Sequence, residues 1–193
     1  MKMIRWIVAV LLMCGIAAAQ GPQSAGKAQP KPTFERALNQ SFSGVEKEFV
    51  DAADAMPADK YDFAPTNGDF KGVRTFGEQV RHVAATNYII GAAILGEKTP
   101  VDTAGESGPA SMTSKDDIMK YLKDSFAYVH KAFSSVSSEQ KAMEMVKFPF
   151  GPGQVPKMSL VLLESGHPFD HYGQMVEYLR MNNIIPPASR PSK

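Results

Sequence analysis

Cysteine is nearly absent from this sequence: there is one, Cys14, in 193 residues. No disulfide can form within the chain, so its stability has to come from a packed core. An excess of charge of either sign is missing too, with 21 Lys and Arg against 20 Asp and Glu. Nucleic-acid binding needs concentrated positive charge, and no such partner is expected here. A long apolar run occurs only near the start, from Trp6 to Ile16, behind Lys2 and Arg5 and ahead of Ala17-Ala18-Ala19. That arrangement reads as a secretory signal peptide over residues 1–19. The run is shorter than the ~20 residues that span a bilayer and lacks a stop-transfer flank, so no stable membrane insertion is expected after cleavage.

The expectation is therefore an exported protein, periplasmic or secreted. Met13 is a poor match to the small residue that precedes an acylated cysteine, which argues against a lipid anchor at Cys14. Cleavage after Ala19 removes the one cysteine, leaving neither a thiolate ligand nor a cysteine nucleophile. It also takes the basic residues from 21 to 19 against 20 acidic ones, a formal charge near −1. About 174 residues remain, enough for one domain with a substantial core.

Residues 20–32 are Gly, Pro, Gln, Ser, Ala and Lys with almost nothing to bury, and read as a flexible leader. A first helix is predicted from Thr33 to Met56, where Phe34, Leu38, Phe42, Val45, Phe49, Ala52 and Met56 make an apolar stripe and Pro57 closes it. A turn-rich linker, 58–73, brings Tyr61 and Phe63 towards the bundle. The second helix starts at Thr75, with Glu78 as its capping-box partner, and ends at Leu95-Gly96; it should be the most buried. Residues 97–113, rich in Gly, Pro, Ser and Thr, form a connection suited to lie over a pocket. A third helix begins after Ser114 and carries His130, read as structural. The crossover 137–157 contains Phe148-Pro149-Phe150-Gly151-Pro152-Gly153, expected as a strand pair or loop whose two phenylalanines wall a cavity. The last helix runs from Met158 to Asn182-Asn183, and Pro168 should kink or interrupt it. The whole is an all-α four-helix bundle over residues 33–188 with a tail at 189–193.

Two of the four histidines, His167 and His171, are four positions apart in that last helix. At this spacing both project from one face with Cβ atoms about 5–6 Å apart, so both imidazoles can reach one ion at roughly 2.0–2.1 Å. Core packing is the competing explanation for such a pair. His82, at the edge of the second helix's stripe, is the candidate third ligand. Glu78, one turn before it, could accept an imidazole N–H or simply be a solvated carboxylate of the first turn. A di-iron carboxylate centre is excluded by count: Glu164-Ser165-Gly166-His167 is one Glu-x-x-His motif, and no second exists. HExxH, P-loop and GxSxG motifs are absent as well.

Phe76-x-Glu78-x3-His82, His167-x3-His171-Tyr172-Gly173-Gln174 and Tyr178-Leu179-Arg180 running to Pro186-Pro187 resemble the DinB/YfiT-like superfamily over residues 33–188. The resemblance implies that family's four-helix bundle, with His82, His167 and His171 as ligands of a divalent metal, usually nickel or zinc, and Gln174 as a supporting residue behind them. Characterised relatives include transferases and isomerases that use low-molecular-weight thiols. The function expected is a metal-dependent hydrolase or transferase acting on a small molecule, with Glu164, Tyr172 and Asp170 as candidate proton handlers. The alternative is a non-catalytic bundle that binds metal or a small ligand. A small-molecule partner is expected in either case, and homodimerisation is left open.

Overall fold

The computed structural model describes residues 31–191. The signal peptide, Cys14, nearly all of the leader and the last two residues of the tail lie outside that range. Four long helices form the bundle: α1, Phe34–Ala55; α2, Phe76–Leu95; α3, Lys115–Ser134; and, after a short α4, Glu139–Ala142, the 25-residue α5, Lys157–Met181.

α1 buries Phe42, Val45, Phe49 and Ala52 at helical spacing. Phe42 packs its ring against Phe126 and Phe133 of α3, with centroids 5.5 and 4.9 Å apart. His130 stands at the rim of this aromatic cluster, its two nitrogens bonded to Asn39 Oδ1 at 2.6 Å and Glu46 Oε2 at 2.9 Å. It ties α3 to α1 and has the structural role expected of it. Thr33 takes the extended backbone of an N-cap, yet its side chain makes no capping hydrogen bond.

α2 is the central element. Its start is fixed by a complete capping box: Glu78 N–H donates to Thr75 Oγ1, and Thr75 N–H donates to Glu78 Oε2 at 2.8 Å. Its end is the left-handed Gly96, φ 73°. Between them nearly every face is buried, as the sequence implies. The linker supports this geometry: Gly77 N–H donates to Tyr61 O at 2.7 Å, and a Cβ at Gly77 would come within 3.0 Å of the Tyr61 ring. At Gly91 a Cβ would be 2.8 Å from the Tyr128 ring, so α2 and α3 meet there closer than any other residue allows.

The crossover folds as α4 and a two-stranded antiparallel hairpin, β1, Met145–Lys147, with β2, Gln154–Pro156, in register Val146↔Val155. α5 then runs unbroken through Pro168. This corrects the expected interruption. The proline removes one hydrogen bond to the Glu164 carbonyl, a cost of about 3 kcal/mol in a helix interior, and the helix nevertheless continues through this buried residue to Met181. Among the described residues no helix is long and apolar enough to cross a membrane.

Candidate metal centre

α2 presents His82 and α5 presents His167 and His171 to the same point. The ring centroids of His82 lie 5.1 Å from those of His167 and 4.7 Å from those of His171, and the two α5 rings are 4.7 Å apart. One nitrogen from each falls within 4.8 Å of the others, the one such group of three potential ligands among the described residues.

The hydrogen bonds behind the rings settle which nitrogens converge. His82 Nδ1–H donates to the Glu106 carbonyl at 2.6 Å, and His171 Nδ1–H donates to Gln79 Oε1. Thr86 donates its hydroxyl proton to the carbonyls of Val83 and His82, and in the metal-binding tautomer of His167 its Oγ1 accepts from Nδ1–H at 3.2 Å. With every Nδ1 protonated, every Nε2 carries a free lone pair. His82 Nε2 and His167 Nε2 are 3.1 Å apart. Two nitrogens on one tetrahedral ion at 2.0–2.1 Å stand roughly 3.3–3.4 Å apart, so the pair needs little adjustment to share one. The donor set therefore fits a divalent ion of the borderline, imidazole-binding kind.

Electrostatics favour the same protonation. Burial pushes His171 down to about 3, helped by the neighbouring rings and by Arg74. Burial likewise takes His167 down to about 4, reinforced by His82 and opposed by Asp170. His82 is lowered by burial against the raising effect of the Glu106 carbonyl. All three rings are thus neutral at neutral pH, the state that binds metal.

The remaining expected residues fall in different places. Gln174 is behind the site: its Oε1 accepts from Gln79 Nε2 at 2.8 Å, and Gln79 in turn holds His171. Glu78 is used by the cap and bonds no imidazole, a correction to the role considered for it; Gln79, one residue on, is the imidazole's acceptor. Glu164 is fully buried between helices; with the Asn87 amide turned to suit its neighbours, Nδ2 donates to Glu164 Oε1 at 2.8 Å, while Oε2 has no partner. Burial raises its carboxyl well above the usual range, and its oxygens are not among the converging ligand atoms. Asp170 is exposed, takes a 3.3 Å bond from Gln174 Nε2 and acts on His167 through its charge. Tyr172 is half-buried near the rim, against Phe169, and the carboxylates that weigh on its hydroxyl are Glu48 and Asp51 of α1. It does not join the imidazoles.

Gln79 and Thr86 went unassigned as supports in the sequence, although positions 79, 82 and 86 share one face of a helix. The Glu106 carbonyl carries no residue-type signal at all.

One cavity touches the histidine cluster, and another reaches the glutamines behind it. The first, of about 240 Å³, is lined by Thr86, Ile90, Glu106, Phe148, Phe150, Leu163 and His167, so the hairpin phenylalanines do wall it. The second, about 630 Å³ and polar, reaches Gln79 and Gln174. Residues of the 97–113 connection line both, Glu106 the first and Ser107, Gly108 and Ala110 the second, and the connection is pinned by the His82 bond to Glu106 O and by Arg81 Nη1 donating to Pro109 O at 3.1 Å.

The sequence profile of the DinB superfamily matches residues 41–175. The crystal structure of a DinB-like protein from Bacillus cereus ATCC 10987 superimposes with a TM-score of 0.65 at 19% identity, covering 80% of this chain and 96% of that one. The mycothiol-dependent maleylpyruvate isomerase superimposes with a TM-score of 0.55 at 16% identity, and a histidine-to-alanine variant of it with 0.57 at 15%. Both cover 75% of this chain and 63% of the isomerase. At these identities the likeness is one of fold. No curated protein matches the sequence significantly.

Proposed function

This chain belongs to the DinB superfamily, and from that premise we propose that His82, His167 and His171 hold one divalent metal ion in a site serving hydrolysis or group transfer on a small molecule. The observation that carries this reading is the convergence of the three imidazoles within 4.8 Å of one another, with each Nδ1 at a protein hydrogen-bond partner and each Nε2 left for an ion. Three neutral imidazoles leave coordination positions free, the pattern of catalytic rather than closed structural sites. When bound there, the ion supplies Lewis acidity to a substrate or to a water or other nucleophile.

The chain's own residues do the rest. Gln79, Thr86 and the Glu106 carbonyl fix ring orientation and tautomer, and Gln174 holds the Gln79 amide in turn. Ile90, Phe148, Phe150 and Leu163 give the substrate an apolar seat beside His167 and displace water from it. Of the proton handlers considered, Asp170 is the one whose charge reaches the cluster from solvent, and we assign it that role; Glu164 lies in the core, where burial disfavours its charged form, and Tyr172 lies near the carboxylates of α1. Nickel and zinc both suit three imidazoles. Export to the periplasm or beyond is part of the same reading and rests on the character of residues 1–19.

The test is metal analysis of the mature chain purified without a His tag, alongside His171→Ala. One equivalent of metal in the wild type, lost in the variant, supports the reading; a metal-free wild type after dialysis against excess zinc or nickel overturns it. Metal with no turnover on ester, amide or thiol-transfer substrates would favour a non-catalytic binding role.

A further inference from the structure

The larger of the two cavities has a charge pattern that the metal reading leaves unused. Its wall carries two cations, Arg74 and Arg81, and one acid, Glu78. Glu78 is committed to the Thr75 N–H at the start of α2. Among the described residues neither arginine has a carboxylate within ion-pair distance, although seven other Lys or Arg ion pairs form. Arg81 is fixed rather than free: Nη1 is used on Pro109 O, Gly108 packs against its backbone, and Nε is buried with no partner. A guanidinium partly removed from water and incompletely bonded gains more from an anion than a solvated one does. Arg74 lies close enough for its charge to weigh on all three imidazoles. Gln79 and Gln174 add neutral amides to the wall, and Gln79 is the hydrogen-bond partner of His171.

Resting on the three-histidine reading above, we propose that this cavity is an anion subsite in which Arg74 and Arg81 seat the carboxylate of a small organic acid beside the metal centre. A carboxylate suits it better than a phosphate dianion, because two arginines against one glutamate leave a single positive charge on the wall. A planar carboxylate also matches the fork of a guanidinium. The substrate class is then a monocarboxylic acid derivative rather than a neutral ester or amide, and the arginines discriminate by charge before any chemistry occurs.

Calorimetric titration of the zinc-loaded mature chain with phenylacetate, and with phenylacetamide as its uncharged counterpart, tests this. Phenylacetate should bind at least about tenfold more tightly, the worth of one charge-assisted hydrogen bond. Arg74→Gln should weaken phenylacetate by a similar factor, leaving phenylacetamide and zinc content unchanged; its side chain makes no bond that the fold depends on. Arg81→Lys, which keeps the charge but loses the fork, should give a smaller loss. Equal binding of acid and amide, no binding of the acid, or wild-type affinity in Arg74→Gln would each overturn the subsite. Zinc content, measured on the same samples, reports separately on the histidines: a chain with one zinc and no preference for the acid refutes the subsite alone, whereas a zinc-free chain that still prefers the acid refutes the metal centre alone.

Discussion

His171 and Gln79, 92 residues apart in sequence, are joined by a buried hydrogen bond from Nδ1–H to Oε1, and the same glutamine donates onward to Gln174. The imidazole on α5 is thus aimed by a side chain on α2.

Loss of that support should be felt in the metal. Gln79→Ala is expected to lower zinc affinity by about ten- to a hundredfold, the usual cost of removing a ligand's hydrogen-bond partner. Gln79→Glu, which keeps an acceptor at that point, should retain most of it. Competition against a chromophoric chelator measures both; equal affinities in wild type and Gln79→Ala would show that the bond does not orient His171.

The metal-free protein should lose stability on acidification. Unfolded histidines titrate near 6.5, whereas burial holds His167 at about 4 and His171 at about 3 in the fold. Above pH 6.5 both states carry neutral rings, and the stability associated with these residues is fully present. Below it the unfolded chain takes up protons the folded chain refuses, so stability falls from pH 6.5 towards pH 3. Thermal melts of the metal-free chain from pH 7.5 to 4 should show this, with a shallower slope in the His167→Gln, His171→Gln double variant. Parallel slopes would contradict the shifts.

Glu164 predicts the opposite trend. Its buried carboxyl stays protonated well above the ordinary value of 4.5, so its contribution is intact below pH 4.5 and declines as pH rises towards the folded value. Glu164→Gln, neutral at every pH and still able to accept from Asn87, should raise the melting temperature at pH 7, with the gain shrinking towards pH 4. A variant less stable than wild type at pH 7 would mean that the carboxyl is needed as such.

Gly91→Ala should destabilise by about 1–3 kcal/mol, because the added methyl would enter the Tyr128 ring at 2.8 Å and push α2 from α3. A drop of several degrees in melting temperature is expected. Combining it with Tyr128→Ala, which opens the space, should recover part of the loss; no recovery would place the strain elsewhere.

The bundle was legible because its helices announce themselves: the Phe42-Val45-Phe49 stripe, the Thr75/Glu78 box and the Gly96 stop are all local signals, and each has its expected place. The His82, His167 and His171 convergence was legible in outline, since helical spacing sets two rings on one face and chain order brings a third opposite them. The supports were harder to read. A backbone carbonyl at residue 106 leaves no mark in side-chain chemistry, and Gln79 looks like any polar residue of a first turn until α5 is docked on it. Pro168 left two outcomes open, a kink or an interruption, and only the second is excluded, since α5 continues from Lys157 to Met181 with the proline inside it.

Every group that steers an imidazole, whether the Gln79 amide, the Thr86 hydroxyl or the Glu106 carbonyl, comes from α2 or the segment that follows it, yet two of the three rings sit on α5. Sliding one helix past the other by a single turn, about 5.4 Å, would separate both rings from their guides at once. Ion capture is accordingly a gauge of α2–α5 seating: in a denaturant titration the loaded chain should surrender its ion in the same cooperative step that undocks these helices, and excess ion should move that midpoint upward.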